Sequence, residues 1–356
     1  MKSKKIRPGG RVLVSLAAFV VVMAGVMASS SILTPLLLSL FIAIISGQPI
    51  LWLSSKGVNH ALAIIIVLIS TLAIFTGIGM VIGTSITNFA NDAPIYANKL
   101  GEMLDVLLVS LTNRGINISP ERWEGIIAPG RIMNYTASIL SDFGAFMSNA
   151  LLIFFIVVFI LMERASLRLK AEIIAENYHN NLNVLAAIIE SIRTYLGLKT
   201  LISLVTGIFI WVWLLIFGVK YAVLWGLIAF LLNYIPNIGS IIAGVPTVLF
   251  ALVQLGPGGA GWTLLGYLIV NMIVGNLIEP RLMGRKMELS TLIVFLSLIF
   301  WGFVLGTIGM FLAVPLTMTF KIMLDQYPKT QWISILLGSD NHAREMANNR
   351  SRSEPD

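Results

Sequence analysis

Residues 221–278, YAVLWGLIAFLLNYIPNIGSIIAGVPTVLFALVQLGPGGAGWTLLGYLIVNMIVGNLI, run for 58 positions without Asp, Glu, Lys, Arg or His. A run of that length belongs in hydrocarbon, because about 20 apolar residues already make a helix that crosses the roughly 30 Å core of a bilayer. Two interruptions decide how it sits there: Pro236 in NYIPNIG and the cluster Gly256, Pro257, Gly258, Gly259. As one helix, 221–253 would be about 50 Å long, too much for one upright span and too little for two spans and a turn. A hairpin that dips in and returns fits that length. Residues 290–320, broken by Gly302, Gly306 and Gly309, give the same arithmetic and predict a second hairpin.

Outward from there, the rest of the chain reads as membrane too. Residues 12–55 carry no charge and no histidine and would form about 66 Å of helix, enough for two crossings with a turn near Ser29 to Pro35. Runs 61–91, 143–162 and 200–219 are each long enough for one more. The expected fold is an all-α polytopic membrane protein: five full spans, a broken re-entrant helical hairpin, one more span, and a second broken hairpin. A small helical insert lies outside. The segments are a basic cytoplasmic N-terminus (1–11), helices one to three (12–83), an extracytoplasmic insert (84–142), helix four (143–162), a cytoplasmic amphipathic linker (163–199), a C-terminal core (200–322) and a cytoplasmic tail (323–356), disordered from about 338. The start, with Lys2, Lys4, Lys5, Arg7 and Arg11 before an apolar run, looks like a secretory signal, but that run is too long and a second begins at Ile32. An uncleaved first helix is expected.

Composition agrees. The chain is 57% apolar and 12% charged, about half the charge of a water-soluble domain, so a soluble globular protein is excluded. The net charge of +7 comes from basic residues flanking apolar runs, with no basic stripe of the kind that grips nucleic acid. With both hairpins returning to their own side and the termini cytoplasmic, 19 of the 24 Lys and Arg residues fall inside, as the positive-inside rule requires.

Enzyme chemistry finds no residues to use. Cysteine is absent, which removes disulfides, thiolate metal sites and cysteine nucleophiles. His60, His179 and His342 lie far apart, and neither HExxH nor GxSxG occurs. Lys199 and Thr200 follow Leu198 rather than glycine, so there is no phosphate-binding loop to hydrolyse ATP. No metal site and no cofactor are expected.

Broken helix at membrane depth is the remaining signal. Backbone groups freed by proline and glycine are tolerated only where protein or a wet cavity satisfies them, and paired breaks of this kind point to a transporter's binding site. The breaks also resemble each other: 238–246 (IGSIIAGVP) aligns with 308–315 (IGMFLAVP) with one gap, which suggests an inverted repeat. Candidate solute contacts are Asn233, Tyr234, Pro236, Asn237 and Gly239 in the first break, with Asn271 and Asn276 beyond it. Helical spacing puts Asn276 and Glu279 on one face and Asn271 oblique to them. Candidate coupling or gating residues are Glu279, Pro280, Arg281, Gly302, Gly306, Gly309 and Pro315. Glu279 ends the uncharged run; it is a titratable group, an Arg281 partner or a helix-end device. Outside this core, Leu100, Met103, Leu104, Leu107, Leu108 and Leu111 form an apolar stripe at helical spacing, and Ser119 with Pro120 opens another helix. Leu182, Leu185, Ile189, Ile192 and Leu196 form a short seam in the linker, too brief for a coiled coil.

The motifs NYIPNIGSIIAGVP (233–246), NLIEPRLMG (276–284) and SLIFWGFVLGTIGMFLAVPL (297–316) resemble the C-terminal signatures of the autoinducer-2 exporter family of bacterial permeases, over about residues 10–335. The resemblance implies an inner-membrane transporter of small polar solutes, not an enzyme, working as a homo-oligomer, best a pentamer. It implies export of the signal autoinducer-2 or, as in other members, sodium(lithium)/proton antiport. Where transport is coupled, a proton or a sodium ion is the coupling ion; a facilitator needs none. A third reading, a non-transporting scaffold subunit, treats the polar breaks as packing devices.

Overall fold

The computed structural model describes residues 8–113, 149–178, 182–236, 238–283 and 289–339. Among them the chain is helical, apart from one backbone bridge between Leu289 and Gly338. The helices are α1 (Pro8–Ala28), α2 (Ser30–Ser55), α3 (His60–Asn113), α4 (Ala150–Tyr178), α5 (Leu182–Ile216), α6 (Ala222–Leu232), α7 (Gly239–Val270), a π-helix (Asn271–Ile278), α8 (Glu279–Met283), α9 (Thr291–Asp325) and α10 (Gln331–Leu337). Helices long and apolar enough to cross a membrane are Ser30–Ser55, His60–Phe89, Val184–Ile216, Gly239–Leu282 and Thr291–Asp325, with shorter apolar helices at Leu16–Ala28, Ala150–Glu163 and Ala222–Leu232. The set differs from the five full spans expected, because its last two members are the helices that carry the glycine breaks.

Several boundaries run longer than the hydropathy steps suggest. Asn59 accepts the Ala61 N–H at 3.0 Å and so caps α3. Helix α3 then continues for 54 residues, about 81 Å, straight through position 83 and the stripe from Leu100. Helix α5 likewise joins the end of the linker to the next apolar run without a break at 199. A turning of hydropathy marks where the solvent changes, while the backbone hydrogen bonds of a helix continue regardless. The first turn is a single residue, Ser29, and Pro35 lies buried inside α2. The expected helix at Ser119 and Pro120 and the tail beyond 339 lie outside the described residues.

The chain divides into two compact units. One holds Met1–Ser55, Phe155–Leu196 and Arg285–Asp356. In it α9 packs on α1, α2 and α10. Gly306 has φ 69° and ψ −156°, a conformation open only to glycine, and there α9 folds back on itself. Trp301 Nε1 donates to Thr317 Oγ1 at 3.0 Å, and the Trp301 ring stacks on Phe320. In a straight helix Trp301 and Thr317 would stand about 24 Å apart. A side chain on Gly302 would meet Met310 at 2.7 Å, and one on Gly309 would overlap the Trp301 carbonyl, so both glycines let the arms close. Pro315 is buried in the second arm, its carbonyl accepting from Thr319.

The other unit holds Lys56–Phe154 and Gly197–Gly284. Here α6 and α7 pack together and both meet α3. Helices α5 and α6 touch backbone to backbone: a β-carbon on Gly207 would lie 2.6 Å from that of Phe230, and one on Gly226 2.6 Å from that of Trp211. Gly256 (φ 78°, ψ −171°) makes the same kind of fold in α7 as Gly306 does in α9. Across it Tyr267 Oη lies 3.1 Å from Thr247 Oγ1, and the Tyr267 ring covers Gly244. The like-shaped turns are therefore Leu255–Gly259 and Leu305–Gly309, both Leu-Gly-x-x-Gly. The segments 238–246 and 308–315 match in sequence but differ in setting: Gly239 restarts a helix after a proline break, whereas Gly309 lies three residues past a hairpin tip.

Candidate functional site

A polar row on α5 is the centre of the site. Lys199, Ser203 and Thr206 recur at helical spacing on one face and are all buried, within a helix otherwise apolar enough to cross a membrane. Thr206 spends its hydroxyl on its own helix, donating to the Ile202 carbonyl at 3.0 Å. The other two, with half-buried Thr200 beside them, face groups from elsewhere in the unit.

The first group comes from the NYIPNIG break. Helix α6 tightens as it ends, with Tyr234 N–H reaching Leu231 and Ile235 N–H reaching Leu232. Pro236 has no N–H to continue the ladder, and Ile238 N–H closes a small turn onto the Pro236 carbonyl at 2.7 Å. This aims two side chains back at α5. Asn233 Nδ2 donates to Ser203 Oγ at 3.0 Å, and Tyr234 Oη donates to Thr200 Oγ1 at 2.7 Å. A side chain on Gly239 would overlap the Leu232 carbonyl, so glycine lets the restarted helix close on α6. Asn237 lies outside the described residues.

The second group is Glu279. Its carboxylate Oε1 pairs with Lys199 Nζ at 2.5 Å; the Lys199 side chain is 1% exposed and that of Glu279 21%. Sequence reasoning offered Arg281 as the partner, but Arg281 is exposed, two residues along α8. Lys199 went unrecognised because it abuts an apolar run and reads as a boundary charge. One signal could have found it: opposite charges bounding two apolar runs, Lys199 before 200–219 and Glu279 after 221–278, as such runs pair at one membrane face.

The run into Glu279 is a π-helix, with the Glu279 N–H reaching Val274 five residues back. That corrects the expected face. In an α-helix Asn271 would lie oblique to Asn276, but bonds spanning five residues bring positions five apart toward the same side. Asn271 is half-buried and Asn276 exposed, while Pro280 is exposed at the start of α8. The structure thus joins Asn233, Tyr234 and Glu279 to α5. Gly302, Gly306, Gly309 and Pro315 belong to the α9 hairpin of the other unit and are described with it. Among the described residues no group of three or more His, Asp or Glu side chains could hold a metal ion.

At the far end of α5, about 26 Å from Lys199, a polar clasp ties three elements together. Tyr221 Oη donates to Asp92 Oδ2 at 2.9 Å, and Lys220 Nζ meets the same oxygen at 3.2 Å. Those two hydrogen bonds hold the Asp92 carboxyl below the usual carboxylate range. Asp92 in turn raises Lys220. Tyr221 is pushed above its ordinary value first by burial and then by Asp92. Gln254, at the tip of the α7 hairpin, receives the Lys220 backbone N–H and donates to the Gly218 carbonyl, while Lys99 donates to the Gln254 carbonyl.

Comparison with known proteins bears on what this arrangement serves. A family profile described as AI-2E family transporter matches residues 16–329. A putative transport protein of Haemophilus influenzae is 38% identical over 334 residues, covering 92% of this chain and 96% of its own. The putative transport protein YhhT of Escherichia coli is 35% identical, covering 93% and 95%. The AI-2 transport protein TqsA of Escherichia coli is 35% identical over 333 residues, covering 94% and 97%. With matches of that length and identity, a helical multi-pass membrane protein whose buried polar groups meet at a broken helix belongs to the AI-2E transporter family and is a transporter, not an enzyme.

Proposed function

We propose that this protein is a permease of the bacterial inner membrane that exports a small polar solute, with autoinducer-2 as the leading candidate. The observation that carries the reading is the row on α5, where Lys199, Thr200 and Ser203 are each matched by a partner: Glu279, Tyr234 and Asn233. Polar groups at membrane depth are costly and mark solute or ion pathways. Here neutral hydroxyl and amide pairs stand beside one ion pair, and a hydroxylated solute can replace either hydroxyl bond by its own without leaving a charge unpaired. The relative TqsA, named for AI-2 transport, supports the choice of solute.

In this reading both termini are cytoplasmic, the Lys199 end of α5 faces the cytoplasm and the Asp92 clasp faces outward. The two arms of α9, 15 and 19 residues long, are about 22 and 28 Å, short of the roughly 30 Å core, which favours a hairpin that enters and returns. The break at Pro236, reached from outside, and the turn at Gly306, reached from the cytoplasm, are then the tips of an inverted repeat, and the protein works as a homo-oligomer, a pentamer.

The test is solute export from cells or loaded vesicles. Asn233→Leu removes the amide that meets Ser203 and is expected to abolish autoinducer-2 efflux while the protein still extracts as the same assembled species. Normal efflux from that variant would overturn the reading. Cross-linking in the membrane should trap five subunits.

A further inference from the structure

The ion pair between Lys199 and Glu279 has an unequal exposure that points beyond a structural contact. Lys199 is 1% exposed and Glu279 21%, so the carboxylate is the half that reaches toward solvent and the ammonium is the half sealed inside. A small cation arriving from solution would meet Glu279 first and would find its Oε1 already taken by Lys199. A sodium ion and a lysine ammonium satisfy a carboxylate in the same manner, each being a compact hard cation that prefers oxygen partners. Taking part of a carboxylate out of water is costly, and an adjacent cation offsets that cost.

We infer that Glu279 is a monovalent-cation site held by a tethered cation, the Lys199 ammonium, so that the wild-type protein needs no sodium and does not couple to it. Geometry supports the tether. Lys199 stands on α5 and Glu279 at the start of α8, 80 residues apart, directly after a π-helix, a conformation frequent at functional sites. Adjacent Thr200, hydrogen-bonded to Tyr234, supplies further oxygen on the same face of the site. This goes beyond the proposed export reading by excluding one coupling ion. It is read out by melting rather than by flux, so its failure and the failure of that reading are separable.

The experiment compares the thermal melting of purified protein in sodium chloride, lithium chloride and choline chloride at equal ionic strength. Wild type and Lys199→Arg should melt at the same temperature in all three. Lys199→Ala should melt several degrees higher in sodium or lithium than in choline, because a ligand that binds only the folded state raises its stability. Adding Glu279→Gln should abolish that difference. If Lys199→Ala does not survive extraction in choline, recovery in sodium or lithium chloride is the expected result. Failure in every salt while Lys199→Arg folds would overturn the inference. A salt-independent melt of Lys199→Ala, or a sodium shift of equal size in wild type, would overturn it as well.

Discussion

Lys199 is the residue whose environment makes the sharpest demand. An ammonium sealed inside a helix bundle depends on its single carboxylate, and breaking a buried ion pair from one side costs far more than removing both halves. In sodium-free buffer Glu279→Leu is therefore expected to cost about 3–5 kcal/mol, while Glu279→Leu with Lys199→Met recovers most of it. Thermal unfolding of the two variants in one detergent checks this. Tyr234→Phe is milder, since it deletes one hydroxyl and leaves Thr200 with its other contacts. A loss of about 1 kcal/mol is expected, with a larger effect on efflux than on stability if the hydroxyl meets solute. Asn233 and Tyr234 could be picked from the sequence because polar side chains beside a proline in an apolar run are conspicuous. Lys199 stands out only when it is matched with Glu279, a group 80 positions away, and by itself it reads as a boundary charge.

At the level of elements, the glycine turns shape both hairpins. At Gly306 a β-carbon would meet nothing within 4 Å, so Gly306→Ala is penalised by backbone conformation alone, by about 1–3 kcal/mol. Gly309→Ala should cost more, because its side chain overlaps the Trp301 carbonyl, and Gly258→Ala, open and unstrained, should lie within about 0.5 kcal/mol of wild type. Melting temperatures should follow that order. The clasp between α3, the α5–α6 junction and the α7 tip adds a pH dependence. Asp92 is depressed in the folded protein, so its contribution is full above the unfolded carboxylate value of about 3.9 and fades as pH falls through the folded one. Lys220 is raised, so its contribution is full below about 10.4 and fades as pH rises beyond its folded value. Asp92→Asn should flatten the acid limb of the melting profile and weaken the alkaline one. Sequence arithmetic found that 221–253 and 290–320 were too long for one span and too short for two. Which of several glycines would turn, and that 271–278 would be π rather than α, depends on close approaches such as Gly309 to Trp301 that no local pattern encodes.

For the whole molecule, α3 provides the clearest test of topology. Its 54 residues reach about 81 Å, so its two ends must lie in different aqueous spaces if 60–89 crosses the membrane once. The natural absence of cysteine makes the protein ready for labelling. An impermeant thiol reagent should label Asn113→Cys in intact cells and Lys56→Cys only after permeabilisation. Labelling of both from the same side would overturn the assignment of α3 as a single crossing.

Membership in the membrane class, the helical content, the exclusion of enzyme chemistry and the places where helices must break were set by composition and by the spacing of charge, proline and glycine. These are one-dimensional properties, fixed by what hydrocarbon tolerates over 20 residues or so. The pairing of Lys199 with Glu279, the meeting of Ser203 with Asn233 and the choice of Gly256 and Gly306 as tips were decided only in three dimensions. Each rests on groups far apart in the chain satisfying one another where water cannot.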